Sequence, residues 1–213
     1  MEKAPLLLQA LMQKARVKAV PAGQIIVYEG DPVQQVFVIK QGIVKLHNID
    51  DKGNDKILHL LQPGAVMPLA FYSGRQDTTT RWYYTALTDS ELYVLANDTL
   101  QSAVEKDSRT ALYLFNKFSG EVHEIIVRLD SLNKSNVHDK VMAALRYFVA
   151  CHTKASAQQW RRVTFSVNHQ LIADMIGATR ESTTVAMKRL ADDKIIRYPK
   201  LTVLEINTKK LYT

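Results

Sequence analysis

His169-Gln-Leu-Ile-Ala-Asp-Met-Ile-Gly-Ala-Thr-Arg-Glu-Ser-Thr-Thr-Val-Ala-Met-Lys-Arg-Leu190 is the stretch that decides the fold. Leu171, Ile172, Met175 and Ile176 fall at i, i+1, i+4 and i+5, the spacing of a helix with one buried face. Ala173 is small where a second helix must cross closely, and Gly177, four residues on, supplies a left-handed turn. Thr179 then caps a new helix whose inner face is Thr183, Ala186, Met187 and Leu190. Its outer face carries Arg180, Glu181, Thr184, Val185 and Lys188, side chains suited to base edges and phosphates. A small residue four before a glycine also occurs in ordinary pairs of core helices. The added cap and basic outer face favour a helix-turn-helix that grips double-stranded DNA.

Charge supports that reading once it is located. The 213 residues carry a net charge of +7. Residues 1–134 hold 15 Lys and Arg against 15 Asp and Glu, whereas residues 135–213 hold 13 against 6. All the excess therefore lies with the helix-turn-helix, a distribution that phosphate backbones attract. A merely basic soluble domain would show the same charge without the motif. Hydrophobic content of 46% and charged content of 23% are those of a globular protein. No apolar run approaches the roughly 20 residues of a membrane span, and the N-terminal Leu6-Leu-Leu8 run is too short for a signal peptide. With Cys151 alone, no intramolecular disulfide forms, and a reducing cytoplasm is the expected location.

Upstream, a short amphipathic helix from Leu7 to Ala15 precedes a strand-rich region from residue 18 to about 96. The runs 24–28, 36–39, 43–47, 56–61, 83–86 and 91–95 are short, apolar or alternating, and separated by turn signals such as Gly30-Asp-Pro32 and Pro63-Gly64. That spacing predicts an antiparallel barrel or roll. The pattern then becomes helical. Ala111, Phe115, Phe118, Val122, Ile125, Leu129 and Leu132 step by 4, 3, 4, 3, 4, 3, a heptad seam. Such a seam can pack on its own barrel, but its regularity favours a homodimer, with Phe118, Val122, Ile125 and Leu129 at the interface and Glu121, Glu124, Arg128 and Asp130 flanking it outside. Polar residues 131–136 mark a hinge, a helix runs from Val137 to about Cys151, and 162–165 read as a strand. Two strands around Pro199-Lys200 would form a wing. The expected domains are 1–107, 108–134 and 135–213.

Barrel, seam helix, hinge and winged helix-turn-helix, in that order, resemble the bacterial transcription regulators of the cyclic-AMP receptor protein and fumarate–nitrate regulator (CRP/FNR) family. The sharpest matches are Glu29-Gly-Asp31, Val36-Phe-Val-Ile39, Gly42-Ile-Val-Lys-Leu46, Leu171-Ile-Ala-x3-Gly177 and Thr179-Arg-Glu-Ser182. The resemblance implies an α+β chain: an N-terminal antiparallel β-roll of the cupin-like, cyclic-nucleotide-binding type, a dimerisation helix and a C-terminal winged helix-turn-helix. It also implies a homodimer on a two-fold operator, with Arg180 and Glu181 as the first base readers and Thr184 and Val185 beside them. Many members carry a second arginine five positions after the first. Here Val185 stands, which can only meet a thymine methyl or close a dry contact. His169, Gln170, Thr179 and Lys188 are expected on phosphates. By family analogy, the segment 158–162 would touch RNA polymerase.

At the sensing end this chain departs from the family. Cyclic-nucleotide-binding members use a Gly-Glu pair for the ribose and an Arg followed by a small residue and Ala for the phosphate. Here no acid lies between Gly64 and Asp77, and Arg81 is followed by bulky Trp82 and Tyr83. Cyclic AMP is therefore not the expected effector. One cysteine excludes an iron–sulfur cluster, and haem through His47, His59 or Cys151 is disfavoured. An unidentified effector near Met67, Phe71, Arg81, Trp82 and Tyr84, or none, is left, with plain core the commoner fate of such aromatics. No cofactor is expected. A second functional class is a ligand-sensing β-roll that regulates a protein partner. An enzyme is disfavoured, because no nucleophile–base pair, metal-ligand cluster or phosphate loop occurs at a credible spacing.

Overall fold

The computed structural model describes residues 4–51, 53–73, 79–154 and 158–212. They fall into two units, Met1–Ile49 with Ile57–Glu124, and Asp50–Lys56 with Ile125–Thr213. The first begins with α1 (Leu6–Lys14), followed by β1 (Arg16–Val20), β2 (Ile25–Val27), β3 (Gln35–Gln41) and β4 (Val44–Ile49). Then come β5 (Asp55–Leu61), β6 (Val66–Met67), β7 (Tyr83–Ala86) and β8 (Ser90–Ala96). Two four-stranded sheets result, ordered β1-β8-β3-β6 and β2-β7-β4-β5, with antiparallel pairing throughout the registers of β3 with β8 and β4 with β7.

Strand β3 shows why the sheets stack. Its run Val36-Phe-Val-Ile39 is apolar without alternation because both faces are buried. Phe37 and Ile39 join Val44, Leu46, Met67 and Tyr84 in the core fed by both sheets. Val36 and Val38 point the other way, against Leu8, Phe71, Leu95, Leu100, Tyr113 and Leu114. Gly42 makes the β3–β4 turn at φ 95°, and a Cβ there would lie 2.7 Å from the Asp89 carbonyl oxygen, so only glycine fits. The second core layer is closed partly by α2 (Asn97–Lys106), a helix the strand reading passed over although Leu100, Ala103 and Val104 have the i, i+3, i+4 spacing of a buried stripe.

Helix α3 (Ser108–Leu132) carries the heptad seam. Within one chain the seam is not covered: Phe115 is 62% and Leu129 55% exposed, and Val122 and Ile125 are half-buried. Phe118 stacks on Tyr72 with ring centroids 4.6 Å apart. The charges expected to flank the seam outside do not all do so. Glu121 bonds to buried His59, Glu124 approaches the same ring, and Arg128 is buried. The side chain of Asp130 lies outside the described residues.

In the second unit, α4 (Val137–Cys151) is capped by Asn136, whose side chain accepts the Asp139 N–H. It is followed by β9 (Trp160–Arg162), α5 (His169–Ile176), α6 (Arg180–Asp192), β10 (Ile196–Lys200), β11 (Val203–Asn207) and α7 (Thr208–Leu211). The three strands form one antiparallel sheet, β10-β11-β9. Two boundaries differ from expectation. The strand before the helix-turn-helix is Trp160–Arg162 rather than 162–165, because Arg161 pairs with Ile206 while Val163 and Phe165 go to the core. The wing turns at Leu201-Thr202, with Thr202 at φ 64°, and Pro199-Lys200 stay in β10.

Candidate nucleic-acid interface

Helix α5 starts at Asn168, whose side-chain oxygen accepts the Leu171 N–H at 2.7 Å, and ends at Gly177 in the left-handed region (φ 65°, ψ 41°). Two residues later the Thr179 hydroxyl accepts the Ser182 N–H at 3.2 Å and opens α6. Leu171, Ile172, Ala173, Met175 and Ile176 of α5 and Thr183, Ala186, Met187 and Leu190 of α6 are all buried. The corner is therefore set by local caps and one shared apolar face.

The outer face of α6 is what the sequence predicts. Arg180, Glu181, Thr184, Val185 and Lys188 are exposed, Val185 to 71%. Thr184 is committed differently from expectation. Its hydroxyl donates to the Arg180 carbonyl at 2.8 Å and lies 2.9 Å from His169 Nδ1. With that proton used, the hydroxyl accepts from His169, which places the ring proton on Nδ1. Burial, and then the nearby Arg180 charge, lower the His169 pKa, so the ring favours its neutral form. Gln170 likewise spends its amide N–H on Asp174, at 2.7 Å.

Beside α6 lies a groove of about 570 Å³ lined by His169, Gln170, Arg180, Tyr198, Leu201 and Thr202. Tyr198 packs 6.2 Å from the His169 ring, and its hydroxyl is pushed up to about 12 by burial. Leu201, at the wing tip, is 92% exposed. Across the wing sheet, Glu205 accepts from Arg162 at 2.8 and 3.0 Å and from Arg197 at 2.7 Å, while Arg197 stacks over Trp160 at 4.3 Å. Burial acts to raise the Glu205 pKa, but the two guanidiniums outweigh it and hold the carboxyl below its usual range.

Sequence reading missed Arg128. Only 4% exposed, it donates from Nη2 to the Met175 carbonyl at 2.6 Å, at the C-terminal end of α5 where a cation complements the helix dipole. Burial lowers its pKa to about 10. The last turns of α3 thus grip the first helix of the motif. Nothing in the heptad spacing separates an inward from an outward charge, so the signal lay only in tertiary packing.

The five residues expected around an effector lie in different surroundings among the described residues. Met67 and Tyr84 are fully buried in the intersheet core, with the Tyr84 hydroxyl accepting the Leu69 N–H at 2.8 Å, and Trp82 packs on that core. Phe71 belongs to the other layer, in a groove of about 440 Å³ with Tyr72, Leu114, Phe115 and Phe118, and Arg81 is exposed. Of the three weighed haem ligands, His47 lies 2.9 Å from the Thr85 hydroxyl, His59 bonds to Glu121 and Cys151 ends α4. Among the described residues no helix is long and apolar enough to cross a membrane.

A β-roll followed by a capped, basic, winged helix-turn-helix defines a DNA-binding transcription regulator. Comparison with known proteins agrees. Residues 17–107 match the cyclic nucleotide-binding domain and residues 140–210 the Crp-like helix-turn-helix domain. The chain is 25% identical to the transcriptional regulator SdrP of Thermus thermophilus, covering 89% of this chain and 90% of that one. It is 21% identical to the global nitrogen regulator of Synechococcus elongatus, over 87% and 83% respectively. A CRP/FNR-family transcriptional regulator of known structure from Thermus thermophilus superposes with a TM-score of 0.72 at 21% identity, over 92% and 96% of the two chains. The chain belongs to the CRP/FNR family of transcription regulators.

Proposed function

We propose that this regulator binds a two-fold operator as a homodimer, in the cytoplasm, with the start of α6 in the major groove of each half-site. The observation that carries the reading is the outer face of α6, where Arg180, Glu181 and Val185 project from a helix whose apolar residues are otherwise buried. Arg180 suits a guanine O6/N7 edge and Glu181 a cytosine amino group. Thr184 has its hydroxyl turned to its own helix, so it offers a methyl outward beside Val185, and this apolar pair suits a thymine methyl. Thr179 and Lys188 suit phosphates, and His169 suits one as the doubly protonated imidazolium, whose Nε2 then carries a proton. The exposed seam residues Phe115 and Leu129 support the dimer. Controlling ligand and partner follow the same reading: no role for cyclic AMP, no enzymatic activity, and contact with RNA polymerase through 158–162.

Fluorescence anisotropy on a salt series tests this. Affinity for duplex DNA should fall steeply with salt, as counterion release requires, and Arg180→Ala should weaken preference for the selected operator while keeping part of the salt-dependent binding. A flat salt response, or an Arg180→Ala variant with unchanged sequence preference, contradicts it.

A further inference from the structure

In the roll unit, three side chains from two distant parts of the sequence converge. His59 from β5 is fully buried, and Glu121 and Glu124, one turn apart on α3, reach it from the helix. His59 Nε2 bonds to Glu121 Oε2 and lies 3.8 Å from Glu124 Oε2. One ligand atom from each residue lies within 4.8 Å of the other two. Two carboxylates at this helical spacing repel each other. In the form that ligates a metal, one imidazole and two carboxylates carry a charge of −2, which one divalent ion balances.

We propose that His59, Glu121 and Glu124 form a binding site for a divalent first-row transition ion of the zinc class. One nitrogen and two oxygen donors suit zinc, cobalt or manganese, whereas the imidazole disfavours magnesium and calcium. At about 2.0–2.2 Å from each donor, the ion needs ligand atoms about 3–4 Å apart, so side-chain shifts of about an ångström complete the set, with water filling the remaining positions. The ion would tie β5 to α3, the helix that carries the heptad seam. Sequence spacing could not show this, because His59 stands 62 residues from Glu121. The site is independent of the DNA-binding reading, and its test does not use DNA.

The test is titration of the metal-free full chain with Co2+, followed by its visible d–d absorption and by equilibrium dialysis, with Zn2+ and Mg2+ as competitors. One Co2+ per chain is expected, displaced by Zn2+ and not by Mg2+. His59→Gln should lose binding. Glu124→Gln, which leaves the His59–Glu121 bond in place, should weaken binding at least about tenfold. Melting temperature should rise with Co2+ in the wild type and much less in Glu124→Gln. No stoichiometric uptake, or uptake equal in wild type and a Glu121→Gln/Glu124→Gln double variant, overturns the proposal and leaves a plain buried ion pair.

Discussion

Helices α3 and α6 solve opposite problems. In α6 the apolar residues Ala186, Met187 and Leu190 are buried and the exposed side is Arg180, Glu181 and Lys188. In α3 the order is partly reversed: Leu112, Phe115, Ile126 and Leu129 are exposed by 55–62%, while Arg128 is buried and Glu121 is half-buried. A helix whose polar face is turned out has settled its own packing and offers chemistry to a polar partner. A helix with an exposed apolar seam has packing still to complete. The first surface fits DNA, and the second is where the proposed homodimer would join.

The largest effect should come from the seam. Val122→Glu with Leu129→Glu places like charges where two α3 helices would meet. Light scattering should then report the 24.1 kDa chain rather than twice that mass, and operator affinity should fall by about a hundredfold or more, because two half-sites are no longer bound in one event. A double variant that keeps the wild-type mass breaks the comparison. Next is Arg180→Ala, expected to cost about 1–3 kcal/mol per half-site on the operator, read by anisotropy against a scrambled duplex.

Arg128→Met removes the buried donor to the Met175 carbonyl and should lower stability by about 2 kcal/mol, seen as a lower denaturant midpoint. If Arg128 were an outward flanking charge, the change would be near zero. Thr179→Ala removes the α6 cap and should cost about 1 kcal/mol. The smallest effect is in the wing. Glu205 has a depressed pKa in the folded state, so its stabilisation is present above its usual 4.5 and lost as pH falls through the folded value. Acid unfolding of Glu205→Gln should accordingly be less steep below about pH 4.5, followed by Trp fluorescence; identical acid profiles would show that Arg162 and Arg197 do not stabilise the carboxylate.

The helix-turn-helix was legible because its determinants are local: a cap at Thr179, a left-handed Gly177, and two apolar faces set by spacing alone. The strand runs were legible for the same reason, and the continuous run at Val36–Ile39 signalled burial on both faces. What sequence could not assign depends on partners far along the chain. Tyr84 and Met67 read as core more readily than as pocket, and only the stacking of the two sheets puts both side chains in one buried intersheet cluster. Arg128 and Glu121 share the spacing of outward charges and become inward only when α5 and β5 arrive. The Thr184 hydroxyl looked free for bases because its bond to the Arg180 carbonyl is not visible in residue type.

Selection of bound sequences from a random duplex pool tests the central claim most directly. The enriched site should be two-fold symmetric, with half-sites about 10–11 base pairs apart centre to centre, a guanine specified by Arg180 in each half and thymine preferred beside Val185. Repeating the selection with Arg180→Ala should erase the guanine preference and leave the spacing. Enrichment of a single asymmetric site, or of the same site by both proteins, would contradict the account.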